Sequence, residues 1–347
     1  MKILFLNGQY PFCYYYRGYL PAVYSNSDYV PEFISTYKMP DAQIIREKAN
    51  NADVIVFQRP QDKATLELAR QLKYQGKKII FENDDTYSGL PLERLGNEKA
   101  IELAQEINKN LQDFLRLADG AIASTEILAK EYREINKNTV VLKNTIDPFD
   151  KFTCKKNDTG KLRVGLIGSV TSNDDYIHVK DAIRRLDERN DITLVVMGVK
   201  RSDGSYLPTM KEDYDFWASL KNVEWHSYVP VTRYMSYVAS LALDVAIIPR
   251  KDHYFNKCKS NLKFLEMSLL KIPVIAQGFE DSPYLKDKDY LTLVYENDDW
   301  YNKVIELKEN REHFLSIAEK AQEYVLKNYN IKTYYHEWVT QIEKLCK

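Results

Sequence analysis

The feature that most constrains the fold is an opening that occurs twice: a short apolar run that ends at a glycine. The run at 2–6 (KILFL) is followed by Asn7 and Gly8, and the run at 162–167 (LRVGLI) is followed by Gly168. Short apolar runs of this kind are typical of buried parallel strands. The repeated opening therefore indicates two sheets, each of which begins with its own strand and glycine turn.

Apolar runs then alternate with stretches of helical spacing. The runs at 53–58 (DVIVFQ) and 77–83 (KKIIFEN) flank a segment whose Leu66, Ala69 and Leu72 fall on one helical face. Strands that alternate with helices form parallel sheets through right-handed crossovers. The sequence therefore predicts an α/β fold with two Rossmann-like, doubly wound parallel-sheet domains that face each other across a cleft.

The length and one polar segment place the domain boundaries. A chain of 347 residues is too long for one ordinary core. The segment 144–161 is polar and rich in turn-forming residues, so we place the linker there. We expect one domain at 1–150, a second at 151–330, and a last helix at 331–347 that packs back towards the first domain.

Charge and composition narrow the class of protein. The net charge is −1, so no global field attracts nucleic acid or an anionic membrane. The apolar run at the amino terminus is too short for a signal peptide, and no run is long enough to span a bilayer. We therefore expect a cytoplasmic protein without stable membrane insertion.

The familiar cofactor motifs are missing from the sequence. Neither glycine opening continues as G-x-G-x-x-G, which disfavours NAD and FAD, and there is no P-loop or G-x-S-x-G motif. The five histidines form no ligand-like cluster, so we predict no metal site. The cysteines are widely separated and are interpreted as free thiols: Cys13, Cys154, Cys258 and Cys346.

The segment 256–277 (NKCKSNLKFLEMSLLKIPVIAQ) carries the clearest chemical signal. Ser260 or Asn261 can cap a helix. Lys259, Lys263 and Glu266 are spaced by four and three, so we expect them along one stripe of the same helix. A helix amino terminus with two lysines suits a diphosphate, and an acid one turn further on suits the hydroxyls of a ribose. The alternative is a surface Lys263–Glu266 pair, which the spacing alone favours.

The sequence around this segment favours the donor site over the surface pair. The segment 225–277 (WHSYVPVTRYM…SNLKFLEMSLLKIPVIAQ) resembles the donor-binding half of the GT-B glycosyltransferases, specifically the large retaining family 4. Its members run G-x-V-P, then A-D-V-x-x-x-P, then K-x-L-E-A-x-A-x-G-x-P-V-V-A. The matching pieces here are 228–230, 244–249 and 263–276.

The resemblance covers most of the chain but departs from the family at one position. The segments 15–22, 76–91 and 124–147 are similar to the amino-terminal domain of one branch, and 165–175 (GLIGSVTSNDD) is similar to the glycine loop that opens the second domain. The family has two glutamates at i and i+8, and the first falls at Cys258. Cys258 lacks the carboxylate that the resemblance implies for holding the donor sugar, and His253 and Asn256 are the candidate substitutes.

The resemblance implies a nucleotide-sugar donor, with a UDP-sugar expected, and a retaining mechanism that requires no metal. Lys259 and Lys263 are the candidates that stabilise the leaving diphosphate. The resemblance also implies that the donor-binding residues lie on the glycine turns, on the loop that borders the base, and on the helix start. They are Gly8, Gly168, Ser169, Thr171, Tyr228, Val229, Pro230, Ser260, Asn261 and Glu266.

The acceptor is expected in the amino-terminal domain. Tyr15, Tyr16 and Arg17 are candidate contacts, although packing tyrosines and a structural arginine are open alternatives. Asp84 and Asp85 follow a predicted strand at its carboxyl end and are candidates to orient an acceptor hydroxyl. A plain turn or a metal-binding acidic pair would give the same pattern.

The sequence therefore predicts a glycosyltransferase whose acceptor is a glycan, a lipid intermediate, a protein or a modified DNA base. Two other functions remain open. One is a non-catalytic nucleotide-sugar or glycan-binding module, and the other is a nucleotide-sugar epimerase or hydrolase on the same scaffold.

Overall fold

The chain forms two parallel sheets, each with helices on both faces. The structure is a computed structural model that describes residues 1–7, 11–30, 39–92, 97–168, 172–201, 203–205 and 211–347. Each sheet has six strands, and every strand pairs in parallel with its neighbours. The predicted pair of doubly wound domains is therefore confirmed.

The first sheet has the strand order β2-β1-β3-β4-β5-β6. Its long strands coincide with the apolar runs of the sequence, and most of their residues are buried. The strands are β1 (Ile3–Asn7), β2 (Asp28–Val30), β3 (Val54–Gln58), β4 (Lys78–Asn83), β5 (Gly120–Ala123) and β6 (Thr139–Val141).

The helices of the first domain begin where the sequence offers caps. The side chains of Asp62, Asn97 and Thr125 each accept a hydrogen bond from a backbone N–H of the first turn. A π-helical turn (Tyr15–Tyr19) separates the first two helices. The helices are α1 (Pro11–Tyr14), α2 (Leu20–Tyr24), α3 (Met39–Asn51), α4 (Lys63–Tyr74), α5 (Glu98–Leu117) and α6 (Glu126–Arg133).

The second sheet has the order β12-β11-β10-β7-β8-β9. Its first strand lies in the middle, so the chain order reverses between β10 and β7, and ligands of doubly wound sheets bind at the carboxyl end of such a reversal. The strands are β7 (Leu162–Ile167), β8 (Ile192–Met197), β9 (Val223–His226), β10 (Val245–Ile248), β11 (Val274–Gln277) and β12 (Thr292–Val294).

The helices of the second half complete the covering of this sheet. Two clusters of buried apolar side chains fill the space on its two faces. The helices are α7 (Asn173–His178), α8 (Lys180–Asp187), α9 (Lys211–Ser219), α10 (Val231–Ser240), α11 (Tyr254–Lys257), α12 (Leu262–Leu269), α13 (Asp299–Glu309), α14 (Arg311–Asn328) and α15 (Ile331–Leu345).

The chain crosses between the two sheets twice. The first crossing follows β6 and includes a short 3-10 turn (Pro148–Asp150). The second precedes α15, whose Trp338 and Ile342 pack in a buried cluster with Ile3 and Phe5 of β1. The last helix therefore lies against the first domain. No helix among the described residues is long and apolar enough to cross a membrane.

Candidate functional site

The short helix α12 is the centre of the candidate site. Phe264, Leu265 and Leu269 are buried among the apolar side chains of the second sheet, which fixes the helix against β10 and β11. The structure corrects two details of the sequence prediction. The helix begins at Leu262, so Lys259 precedes it in the turn after α11 instead of lying on its face.

The second correction concerns the cap of α12. Asn261 stands at the N-cap position, but its Nδ2 donates to Asp287 Oδ2 at 2.7 Å, and it makes no side-chain hydrogen bond to the helix. The Ser260 Oγ accepts instead from Asn144 Nδ2 at 2.7 Å. The described part of the chain therefore supplies no side-chain cap for α12. The amides of Phe264 and Leu265 donate to the Asn261 carbonyl, so the amides of Leu262 and Lys263 are the ones that can bind an anion.

Glu266 is buried, with only 2% of its surface exposed. Its Oε1 accepts from the hydroxyl of Tyr16 at 2.9 Å, and its Oε2 accepts from the hydroxyl of Tyr234 at 3.0 Å. Burial and the neighbouring carboxylate raise the pKa of both phenols well above the ordinary value, so both remain hydrogen-bond donors. The acid thus sits inside the protein with both oxygens engaged.

Lys263 lies beside this acid. Its Nζ donates to the Tyr234 hydroxyl at 3.0 Å and to Glu266 Oε2 at 3.4 Å. The expected Lys263–Glu266 pair is therefore present, but it is a half-buried part of the cleft and not a solvated surface pair.

Lys259 connects the two domains. Its Nζ donates to Asp85 Oδ1 at 2.6 Å, and the other oxygen of Asp85 accepts from Arg59 Nη2 at 2.8 Å. Burial alone would raise the pKa of Asp85, but Lys259 and Arg59 hold it below its ordinary value. Asp85 therefore remains a carboxylate, and Asp84 lies 3.5 Å from Arg59 Nη1.

Further contacts close the cleft around these groups. The Thr125 hydroxyl donates to the carbonyl of Cys258 at 2.8 Å, and the Tyr254 hydroxyl donates to Glu131 at 3.1 Å. Cys258 itself is fully buried and packs within the apolar core of the first domain. Cys258 is therefore a core side chain of the first domain and not part of a polar site.

The loop between β9 and α10 lies at the same end of the second sheet. Tyr228 is 55% exposed, and its ring centroid is 5.0 Å from that of Phe12. Val229 packs on the core, and Pro230 stands at the N-cap of α10. The predicted base-bordering residues thus lie near an aromatic side chain of the first domain.

Only part of the predicted glycine turns can be placed. Gly8, Ser169 and Thr171 lie outside the described residues. Gly168 follows β7 directly, and a Cβ there would approach the Tyr176 hydroxyl to 2.6 Å and Ser172 Oγ to 2.9 Å. A larger residue at this position would therefore require the Tyr176 and Ser172 side chains to move.

The predicted acceptor contacts have other partners. Arg17 is fully buried, its Nε pairs with Glu82 Oε1 at 2.6 Å, and its guanidinium lies 4.8 Å from the Trp338 ring centroid. This corrects the prediction of an acceptor contact for Arg17, because the side chain has no accessible surface; the alternative of a structural arginine fits. Tyr15 donates to Asp150 at 2.7 Å, and Tyr16 donates to Glu266.

Sequence reasoning missed Arg59, Tyr234 and Glu131. Arg59 follows β3 directly and has a φ of 53°, a left-handed conformation that is uncommon outside glycine. Its position at the carboxyl end of a predicted strand is one where site residues are expected, so the sequence could have identified it. Nothing in the local sequence marks Tyr234 or Glu131, because their roles depend on contacts between distant segments.

A metal site does not emerge from the described residues. Within those ranges, no three His, Cys, Asp or Glu side chains are grouped as a metal ion would require. Asp84 and Asp85 both face Arg59, which fits a structural acidic pair as well as an acceptor contact.

Comparison with known proteins identifies the architecture. No protein-family model and no curated protein sequence matches the chain. Among solved structures, it is similar to Anabaena HepE in complex with UDP-glucose, with a TM-score of 0.65 and 15% identity over 99% of this chain and 100% of that one. It is also similar to a glycosyltransferase from Rickettsia africae, with a TM-score of 0.66 and 11% identity over 100% of this chain and 99% of that one.

A third likeness is to TarM, with a TM-score of 0.59 and 14% identity. This match covers 83% of this chain, which spans only 54% of the length of TarM. Identities this low establish the fold alone. The chain therefore has the GT-B fold, with two Rossmann-like domains that face each other across a cleft.

Proposed function

We propose that the chain is a glycosyltransferase that moves a sugar from a UDP-sugar to an acceptor with retention of configuration and without a metal. The observation that carries the proposal is the convergence of Lys259, Lys263 and Glu266 at the uncapped start of α12, in the cleft of a GT-B fold. Complexes of HepE with UDP-glucose and with UDP support a UDP-sugar as donor.

The proposed donor lies along the start of α12. Its diphosphate contacts the first amides of the helix and the two lysines, and its ribose hydroxyls donate to Glu266. Because Glu266 is only 2% exposed and its oxygens are covered by the phenols of Tyr16 and Tyr234, we expect the ribose to take the place of one of these phenols. Tyr16 belongs to the other domain, so a small opening of the cleft would release it.

The proposed reaction is a front-face substitution. The acceptor oxygen forms a bond to the anomeric carbon, the bond between that carbon and the phosphate oxygen breaks, and the acceptor proton passes to the leaving diphosphate. The charge that develops on the diphosphate is stabilised by Lys259 and Lys263. Asp85, which Lys259 and Arg59 keep ionised, holds Lys259 at the meeting point of the domains.

A thermal-shift panel of UDP-, GDP- and ADP-sugars tests the donor. A ligand that binds only the folded chain raises its melting temperature, so we expect a shift with a UDP-sugar. NMR of the products should then show the donor's anomeric configuration, and EDTA should leave the rate unchanged. The proposal fails if no nucleotide sugar shifts the transition and no UDP is released with any acceptor.

The second candidate function is a nucleotide-sugar-binding module without catalysis. The buried Cys258 favours it, because no carboxylate stands where the family carries its first glutamate. Donor binding without transfer or hydrolysis across a broad acceptor panel would identify this function.

A further inference from the structure

A cavity of about 210 Å³ opens in the first domain beside Asp85. It lies between the loop that follows β4, the second half of α5 and the end of α6. Leu111, Leu115 and Tyr132 form an apolar wall, and Asn108 and Gln112 supply amide groups along α5. We call this space the Asp85 cavity.

The Asp85 cavity adjoins the candidate donor site. Asp85 lines the cavity; its carbonyl accepts from the Tyr132 hydroxyl at 2.9 Å, and its carboxylate accepts from Lys259 Nζ at 2.6 Å. Glu131 also lines the cavity, and it accepts from Tyr254 of the second domain. A molecule in the cavity would therefore lie beside two residues that contact the second domain, one of which holds the lysine proposed to stabilise the leaving group.

The charges around the cavity select the kind of molecule that fits. Its described lining includes Asp85, Glu131 and Glu134 and contains no Lys, Arg or His. Two cations beside the lining are already engaged. Arg59 is bound to Asp85. Arg116 is paired with Asp113 and donates to Gln112 Oε1 at 3.4 Å. A phosphate in the cavity would be repelled by these carboxylates, and the lining has no cation to neutralise its charge. This repulsion is stronger in a partly buried cavity than in water.

The shape and surface suit one sugar ring. The volume lies below the roughly 300–1,000 Å³ typical of pockets for drug-sized ligands, so a single ring fits better than a chain. A pyranose has an apolar face, which matches the aromatic and leucine wall, and hydroxyls, which match the amides of Asn108 and Gln112.

We propose that the Asp85 cavity binds the acceptor as an uncharged sugar unit, so that the chain glycosylates neutral glycans in preference to phosphorylated lipids or nucleic acid. This inference rests on the proposed function. It names the substrate class for the acceptor side of the same cleft.

The test measures binding of neutral methyl glycosides of glucose, galactose, mannose and N-acetylglucosamine, and of their 6-phosphates, by saturation-transfer NMR in the presence of UDP. Two variants of α5 are compared. Gln112→Lys places a cation in the cavity, and Gln105→Lys makes the same change two turns earlier at an exposed position. Both retain a good helix former, so both should fold.

In the native chain we expect at least one neutral glycoside to bind and its 6-phosphate to bind more weakly. Gln112→Lys should weaken the neutral glycoside at least about fivefold and reverse the preference, whereas Gln105→Lys should match the native chain. Transfer from UDP-glucose should follow the same order.

Three results would overturn the inference: no neutral glycoside binds, the phosphorylated forms bind better, or the two variants behave alike. Stronger, salt-dependent binding of a DNA oligonucleotide with hydroxymethylated bases would also overturn it. Calorimetry with UDP distinguishes a failure of the proposed function from a failure of this inference. Absence of UDP binding counts against the proposed function, whereas UDP binding with a silent cavity counts against this inference alone.

Discussion

The two sides of the cleft differ in how much of their polar surface is already in use. On the side of α12, Lys259, Lys263 and Glu266 are all bound to protein partners, two of which belong to the other domain. On the side of β4, the Asp85 cavity is open, and its described lining has no cation. One side carries charges of both signs that are occupied, whereas the other combines an apolar wall with carboxylates around an open space.

This difference determines how each side would bind its ligand. A donor that displaces one of these partners exchanges one hydrogen bond for another, so the net gain is the difference between the two bonds and not the full strength of a new one. An acceptor sugar would enter a space that already exists, and its affinity would come from surface contact. The affinity for the donor should therefore change when a single polar atom is removed. The affinity for the acceptor should change when the shape or the charge of the cavity is altered.

The largest effect is expected on the donor side, at Lys259. Lys259→Ala removes a charge that the proposal assigns to the leaving diphosphate, so turnover should fall by about 10²–10³-fold while donor affinity changes less. The measurement is steady-state kinetics together with donor calorimetry. Lys257→Ala is the control, because Lys257 lies two residues earlier and pairs with Asp252. An equal loss in both variants, or a loss in affinity alone, would contradict the assignment.

A smaller effect is expected where the domains exchange partners. Tyr16→Phe removes the hydrogen bond that Glu266 receives from the other domain, so donor affinity should rise by about 2–10-fold. Tyr234→Phe removes the bond to Glu266 within the second domain, together with the hydroxyl that accepts from Lys263, and should give no such gain. Calorimetry with UDP compares the two. Equal effects would show that the donor does not displace Tyr16 selectively.

The smallest effect is expected on the stability of the first domain, at the buried pair of Glu82 and Arg17. Burial raises the pKa of Glu82 to about 7, although its Arg17 partner acts in the opposite direction. The folded chain thus binds this proton more tightly than the unfolded chain, whose glutamate pKa is about 4.3. The protonated Glu82 therefore contributes its full stabilisation below a pH of about 4.3, and this stabilisation is lost as the pH rises through about 7.

Glu82→Gln should flatten this part of the pH dependence. The measurement is the urea midpoint between pH 5 and pH 8, and the exposed Glu102→Gln serves as control. A slope that is identical in all three chains would rule out Glu82 as its source.

The sequence predicts most of the fold because buried parallel strands are continuous apolar runs. It misses β2 and β12, which are edge strands of only three residues each and too short to stand out. It predicts donor contacts for Glu266 and both lysines from the resemblance to the family, because their spacing alone favours a surface pair, and these roles stay predictions. It places Lys259 within the helix, however, because a four-residue spacing cannot show where a helix begins.

The rest of the site could not be read from local patterns. Tyr16 and Glu266 are 250 positions apart, and Lys259 and Asp85 are 174 apart, so their pairing depends on how two folded domains meet. Arg17 illustrates the reverse. An arginine among tyrosines resembles a surface contact in the sequence, but the packing of Trp338 from the last helix buries it.

The most direct test of the account compares the affinities of UDP and 2′,3′-dideoxy-UDP for the native chain and for Glu266→Gln. If Glu266 accepts from the ribose, the native chain should bind UDP at least about tenfold more tightly than the dideoxy compound, and the variant should bind the two nearly alike. A variant that retains the full preference for UDP would contradict the assignment of Glu266 to the ribose.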